Sequence, residues 1–405
     1  MPRRSSGRRS GSDEVGDWHR RSDRRIRAGA EDPRLAPGAA MSAPGPRYAI
    51  EVREIEQLLR ESIEQLAWEL LPNARRDGHF LSVGSLSGEP GQSLKINVSG
   101  PNKGMWTDFS VADGNGYQGG DCLHLIRLVR FGGDMGAAIK WAKSWLGLDH
   151  LDPGRLEIVK REAREASEED ARKQREIKEQ KRRRAVALWM GSKPIGGTPA
   201  EAYLRGRGIK LDAIGRWPGA LRFHAEVWNR ELGVKIPAMV SAMFTPDGQH
   251  VATHRTYLQH DPRRGWVKLD SPNAKMVLGA CAGSFIPLRK GASGKSMADM
   301  PEGEAMHIAE GIEDALTVAM AKPEIRIGAG YSLGNIGSIV WPDRVGELVI
   351  MCDRDEAGSP AVDLLERVIA RQQARGVRVK YAMPPVGFKD FNEWLQRGGA
   401  GEKAA

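Results

Sequence analysis

The chain of 405 residues is 40% apolar and carries a formal charge of +9, enough to bury cores in about two or three domains and to favour a polyanionic partner. It contains no run of about eighteen apolar residues and no apolar leader segment, which argues against a helical membrane span and a secretory signal. Its three cysteines, Cys122, Cys281 and Cys352, are too scattered to form a paired-cysteine metal site and suit a reducing compartment.

Residues 1–47 are rich in Arg, Gly, Ser and Pro and lack apolar periodicity, so they read as a disordered basic tail. Met41 would serve as a start as well as Met1. A first folded unit is expected over 48–150. Ile55, Leu58, Leu59 and Ile63 recur at helical spacing. Strand-like pieces follow at 79–83, 93–98 and 105–109, separated by glycine-rich turns, and then helices from about 121 and over 135–146. Residues 151–190 hold many charged helix formers and few apolar positions, which predicts a solvent-exposed helical linker.

A second unit is expected over 191–302. It opens on a helix with Thr198 as N-cap, Pro199 at the first position and Glu201 at the third, followed by Arg205-Gly206-Arg207-Gly208. Strands at 238–244 and 250–257 flank Pro246-Asp247-Gly248, and the second delivers His254, Arg255 and Tyr257. Gly291-Ala292-Ser293-Gly294-Lys295-Ser296 is similar to the end of a phosphate-binding loop. Arg289 occupies the position of the first required glycine, so the segment reads as a polar loop and no ATP-driven motor is expected.

Residues 303–397 concentrate the chemistry, and 398–405 read as a short tail. The apolar run 306–309 delivers Glu310 and Gly311, and the run 348–352 delivers Asp353 and Asp355. Each is followed by a helical pattern, as buried parallel strands feeding βα turns would be, and ligand sites in such sheets lie at the carboxyl ends of the strands. A carboxylate cluster with no Cys or His beside it is a site for hard oxygen-bound cations, Mg²⁺ or Mn²⁺.

Glu310-Gly311, the helix through Ala315, Leu316 and Ala319, and Asp353-x-Asp355-x-x-Gly358 resemble the Toprim domain shared by bacterial-type primases, topoisomerases and some nucleases. Lys389-Asp390-Phe391-Asn392-Glu393-Trp394 is similar to the segment that closes this domain in primases, and Tyr203-Leu204-Arg205-Gly206-Arg207-Gly208-Ile209 to the opening of the primase catalytic core. The nearest kin would be primase-like proteins of phages, plasmids and mobile elements.

The resemblance implies an α/β Toprim domain, a parallel sheet with flanking helices, preceded by a mixed α+β basic half-domain. Residues 48–150 resemble the small α+β zinc ribbon of primases, but Ser85, Ser87 and Thr107 stand where paired cysteines belong, so no zinc is expected. By the same resemblance Glu310, Asp353, Asp355 and Lys389 are catalytic, and Asp390 joins the three carboxylates as a metal ligand. Arg205, Arg207, Arg255, Lys268, Lys275 and Arg354 contact template or nucleotide, with Trp106 on the ribbon-like unit. The implied activity is primase-like: short RNA primers made on a single-stranded DNA template from ribonucleoside triphosphates. A separate replicative helicase is the implied partner, in a nucleoid-associated cytoplasmic setting without a membrane. A Toprim-type nuclease and a non-catalytic DNA-binding accessory protein remain open alternatives.

Overall fold

The computed structural model describes residues 50–113 and 116–398. The tail 1–47 with its arginines, and residues 399–405, lie outside the described residues. The first elements are helices α1 (Val52–Glu61) and α2 (Ile63–Leu70). An antiparallel meander follows: β1 (Arg75–Asp77), β2 (Phe80–Val83), β3 (Leu94–Asn97), β4 (Trp106–Asp113) and β5 (Gly116–Gly120), in that spatial order. Helices α3 (Cys122–Phe131) and α4 (Met135–Trp145) complete this part, and Asp121 caps α3 by accepting from the His124 N–H at 2.8 Å. Leu94 and Ile96 alternate with half-buried Lys95 and Asn97, so β3 turns one apolar face onto Ile55, Leu59, Ile63 and Leu66.

Trp106 belongs to that same core. It is 1% exposed, and its indole N–H donates to the Asp121 carbonyl at 3.0 Å. This corrects its assignment as a template contact, because a ring enclosed on all sides offers no face for a base to stack on. Lys95 sits 3.5 Å from Asp77 and over the Phe80 ring, and Lys103 donates to the Glu61 carbonyl.

Helix α5 (Pro153–Met190) runs for 38 residues, about 57 Å at helical rise, and starts on the Asp152 cap. It was expected to stand in solvent, but both ends are docked. Near the start, Arg164 pairs at 2.8 Å with Glu54, which is buried on α1. Near the end, Ala185 is fully buried and its carbonyl accepts from Thr253 Oγ1 at 2.8 Å, while the Arg222 guanidinium lies 3.8 Å from the Trp189 ring centre. The apolar residues of the helix that are buried are Ala163 and Ala185, so a sparse apolar pattern conceals the docking.

After β6 (Lys193–Pro194), helix α6 (Pro199–Gly206) and the short α7 (Leu211–Ile214), a second antiparallel sheet forms. Its members are β7 (Leu221–Asn229), β8 (Val234–Phe244), β9 (His250–Asp261), β10 (Gly265–Lys268) and β11 (Lys275–Gly279). The order is β10-β9-β8-β7-β6, with β11 also pairing β9. Thr198 takes the N-cap position of α6, but its hydroxyl donates back to the Ile195 carbonyl. Glu201, at the third helical position, accepts from the Gly197 N–H one residue before the cap.

The third sheet comprises β12 (Ile286–Lys290), β13 (Glu304–Ala309), β14 (Arg326–Ala329), β15 (Val345–Met351) and β16 (Val379–Ala382), ordered β12-β14-β13-β15-β16. Strands β13 to β16 pair in parallel, whereas β12 joins the edge antiparallel to β14. Helices α8 (Ile312–Ala321), α9 (Leu333–Ser338), α10 (Pro360–Ala374) and α11 (Phe391–Arg397) follow these strands. Phe285, just before β12, bridges to Phe244 at the end of β8, so the second and third sheets are joined at a fixed point. The 291–296 loop leads into no helix. Among the described residues no helix is long and apolar enough to cross a membrane.

Candidate active site

Strands β13 and β15 are direct neighbours, with Ala309 opposite Met351 in register. Both chains therefore leave the sheet at one edge, carrying Glu310 from one strand and Asp353 and Asp355 from the other. Gly311 caps α8 so closely that a Cβ there would lie 2.8 Å from Asp314 Oδ2, which ties the glycine to the carboxylate one turn on. Asp314 accepts the Asn392 N–H at 3.0 Å, and Asp390 caps α11 by accepting the Glu393 N–H at 2.6 Å. Five carboxylates from three chain segments, 310–314, 353–355 and 390, thus gather at the carboxyl edge of the sheet.

Their electrostatics record the crowding. Glu310 opens onto a groove, yet desolvation by the surrounding protein pushes its carboxyl up, and Asp353 adds to the effect. Asp353 is raised by burial, then by Asp390 and Asp355. Asp314 is raised to about 7, again by burial first and Asp390 next. The neighbouring Cys352 thiol is pushed up to about 12 by burial and Asp353, so it is no nucleophile. Among the described residues no three Asp, Glu, His or Cys side chains are close enough to hold one ion directly. The donor set nonetheless fits a hard cation: oxygen ligands only, carrying mutual repulsion that a divalent charge relieves, with water completing the shell.

Facing the carboxylates across a cavity of about 920 Å³ are Arg207, Lys268 and Lys275, which share its lining with Glu310, Asp314, Asp353 and Asp390. Lys275 Nζ lies 3.3 Å from Glu313, a carboxylate only 5% exposed, which also accepts the Tyr203 hydroxyl at 2.5 Å. Burial alone would raise Glu313, but Lys275 and Tyr203 overcome it and hold the group at about 2. Glu313 in turn keeps Lys275 charged, above its ordinary range. Lys268 is lowered by desolvation and by Lys275, and one guanidinium nitrogen of Arg207 is buried without a partner.

The remaining expected contacts are placed elsewhere or already engaged. Arg205 pairs with Glu201 at 2.7 Å, and Arg255 donates to the Tyr257 hydroxyl and the Val277 carbonyl. Arg354 donates through two nitrogens to the Pro384 carbonyl, so it braces the loop that carries Asp353 and Asp355. These three do not line the groove. Lys389 is exposed, and its charge lowers Asp353 against the pull of the other groups. Asp314, Glu313 and Tyr203 were not anticipated as site residues. The available signal was Glu313-Asp314 one turn after Glu310, which a helix N-terminus attracts in any case.

Two family models match this chain: one described as "Toprim domain" over residues 305–401, and one described as "Domain of unknown function (DUF7146)" over 179–288. No curated protein matches the chain. Among solved structures, the chain is similar to the zinc-binding and RNA polymerase domains of the Aquifex aeolicus primase, at 15% identity. That alignment covers 85% of this chain and 82% of the other, with a TM-score of 0.36. It is also similar to the primase fragment of the bacteriophage T7 primase-helicase protein (18% identity, 52% and 76% covered, TM-score 0.31). A third is the E. coli primase catalytic core (12% identity, 53% and 75% covered, TM-score 0.36). Residues 305–401, which carry Glu310, Glu313, Asp314, Asp353, Asp355 and Asp390, are the ones that match the Toprim domain model.

Proposed function

We propose that this chain is a primase-like nucleotidyltransferase that joins ribonucleotides opposite a single-stranded DNA template. The observation that carries the reading is the groove itself, where Glu310, Asp353, Asp314 and Asp390 face Arg207, Lys268 and Lys275. Phosphoryl chemistry needs both signs of charge at short range: carboxylates to bind divalent cations and fixed cations for the phosphate oxygens.

Glu310, Asp353 and Asp355, with Asp390, would hold Mg²⁺ or Mn²⁺. Bound there, the ion would neutralise phosphate charge and make a hydroxyl more acidic. Lys275, kept charged by Glu313, and Arg207 and Lys268 would bind the triphosphate oxygens and screen their repulsion from the carboxylates. Glu310, reaching the ion through a water rather than directly, would accept the proton of the attacking 3′-hydroxyl. The oxygen would then form a bond to the α-phosphorus while the bond to the β-phosphate bridge breaks and pyrophosphate leaves. Lys389 would offset the negative charge beside Asp353. A separate helicase would expose the template.

The test is incubation with single-stranded DNA, four ribonucleoside triphosphates and Mg²⁺, beside Asp353→Ala. Short RNA products that vanish in the variant support the reading. Shortening of the DNA without synthesis supports a nuclease, and tight DNA binding with neither outcome supports a non-catalytic accessory role.

A further inference from the structure

Tyr331 is the only non-glycine residue with positive φ (71°) among the described residues. It follows β14 directly after Gly330, and its N–H donates to the Glu310 carbonyl at 3.0 Å. The turn that imposes this disfavoured conformation is therefore fastened to the strand end that carries the first carboxylate. Bulky side chains are rare at such backbone angles, whereas Asn and Gly adopt them readily.

The ring stands on a prepared support. It packs against His254, with ring centres 5.4 Å apart and planes at 60°. That imidazole is 3% exposed and is held neutral by burial and the Lys275 charge, which lower it to about 3. Tyr331 itself is 36% exposed, so part of the ring remains open.

It also stands at a boundary. Tyr331 lines both the groove of carboxylates and cations and a second cavity of about 440 Å³, which is bordered by Cys281, Ser332, Asn335 and Arg367. Both donors of the Asn335 amide are engaged: Nδ2 donates to the Ser284 and Gly330 carbonyls, while Oδ1 accepts the Gly283 N–H. An aromatic face at the mouth of this cavity, beside an Asn335 whose donors are taken, suits recognition by stacking, which tolerates any base.

We infer that Tyr331 is a stacking platform for the nucleobase of the nucleotide whose phosphates lie in the groove, with the base extending into the second cavity. This rests on the nucleotidyl-transfer reading above and adds a nucleobase subsite to it. A phosphate chain alone would not need the ring; a nucleoside triphosphate would.

The test is equilibrium binding of GTP and of inorganic tripolyphosphate, each with Mg²⁺ and no template, to the full chain and to Tyr331→Phe, Tyr331→Asn and Tyr331→Gly. Asn and Gly remove the ring while accepting the backbone conformation. The expected result is a loss of GTP affinity of about tenfold in those two variants, unchanged tripolyphosphate affinity, and wild-type behaviour of Tyr331→Phe. Equal losses for both ligands would make Tyr331 a purely structural residue and overturn the proposal. So would unchanged GTP affinity in the Asn and Gly variants. In both cases the groove reading stands, provided the wild type binds tripolyphosphate. A wild type that binds neither ligand would defeat the stacking proposal and the nucleotidyl-transfer reading together.

Discussion

Replacing Tyr203 by Phe removes one hydroxyl from the buried junction of Tyr203, Glu313 and Lys275, and its cost can be worked out. Tyr203 is 4% exposed and Glu313 5%, and the hydroxyl lies 2.5 Å from a carboxylate oxygen. A hydrogen bond to a buried charge contributes about 1.5–3 kcal/mol, and Lys275 at 3.3 Å remains in the variant, so the expected loss is about 2 kcal/mol. Lys275 and the Tyr203 hydroxyl together hold the Glu313 carboxyl at about 2 against its burial, so the hydroxyl favours the ionised form. Urea unfolding followed by tryptophan fluorescence reads this core, because Trp217, Trp266 and Trp394 pack against it. With a slope of about 2 kcal/mol per molar, the midpoint should fall by about 1 M. The pH dependence follows from the sign of the shift. The folded carboxyl titrates below the unfolded one, so its contribution is complete above about pH 4.5 and is lost as the pH falls toward 2. The gap between wild type and variant should be full at pH 7 and should narrow below about pH 4.5. An absent gap at pH 7, or one that does not change on acidification, would refute the reasoning.

Two other perturbations have firm expectations. Trp106→Ala should destabilise the N-terminal part by about 3–5 kcal/mol, measured by hydrogen exchange, while Trp106→Phe should leave single-stranded DNA affinity unchanged. Lost affinity in a folded Trp106→Phe protein would contradict its placement in the core. Asp353→Asn should abolish product formation yet raise the metal-free thermal midpoint at alkaline pH, because it removes a charge that is disfavoured by burial and by Asp390 and Asp355. The raised carboxyls lose their stabilising neutral form as the pH rises through their folded values, so the advantage should shrink as the pH falls.

The acidic edge was legible because its residues follow apolar runs. A short apolar run ending in a carboxylate announces a buried parallel strand and its βα turn, and Glu310, Asp353 and Asp355 needed nothing more. Tyr203 could not be read the same way. Its partner Glu313 lies 110 residues away, and only the packing of α6 on α8 brings them together. Strand β7 escaped notice because a bulge between His224 and Val227 interrupts its alternation. The docking of α5 was hidden because Ala163 and Ala185 do the packing, and alanine in a charged helix reads as propensity rather than contact. Trp106 among polar strand residues suits either a stacking surface or a core. The indole bond to Asp121 that decides the matter links two segments fifteen residues apart.

The central claim is that carboxylates from two adjacent strand ends share a divalent cation. Titration of the full chain with Mn²⁺, read by the electron-spin signal of the free ion, tests it most directly, beside Glu310→Gln and Asp353→Asn. The account predicts saturable binding by the wild type and a loss of affinity of about tenfold or more in each variant, from strands β13 and β15 alike. Identical isotherms for all three proteins would contradict it.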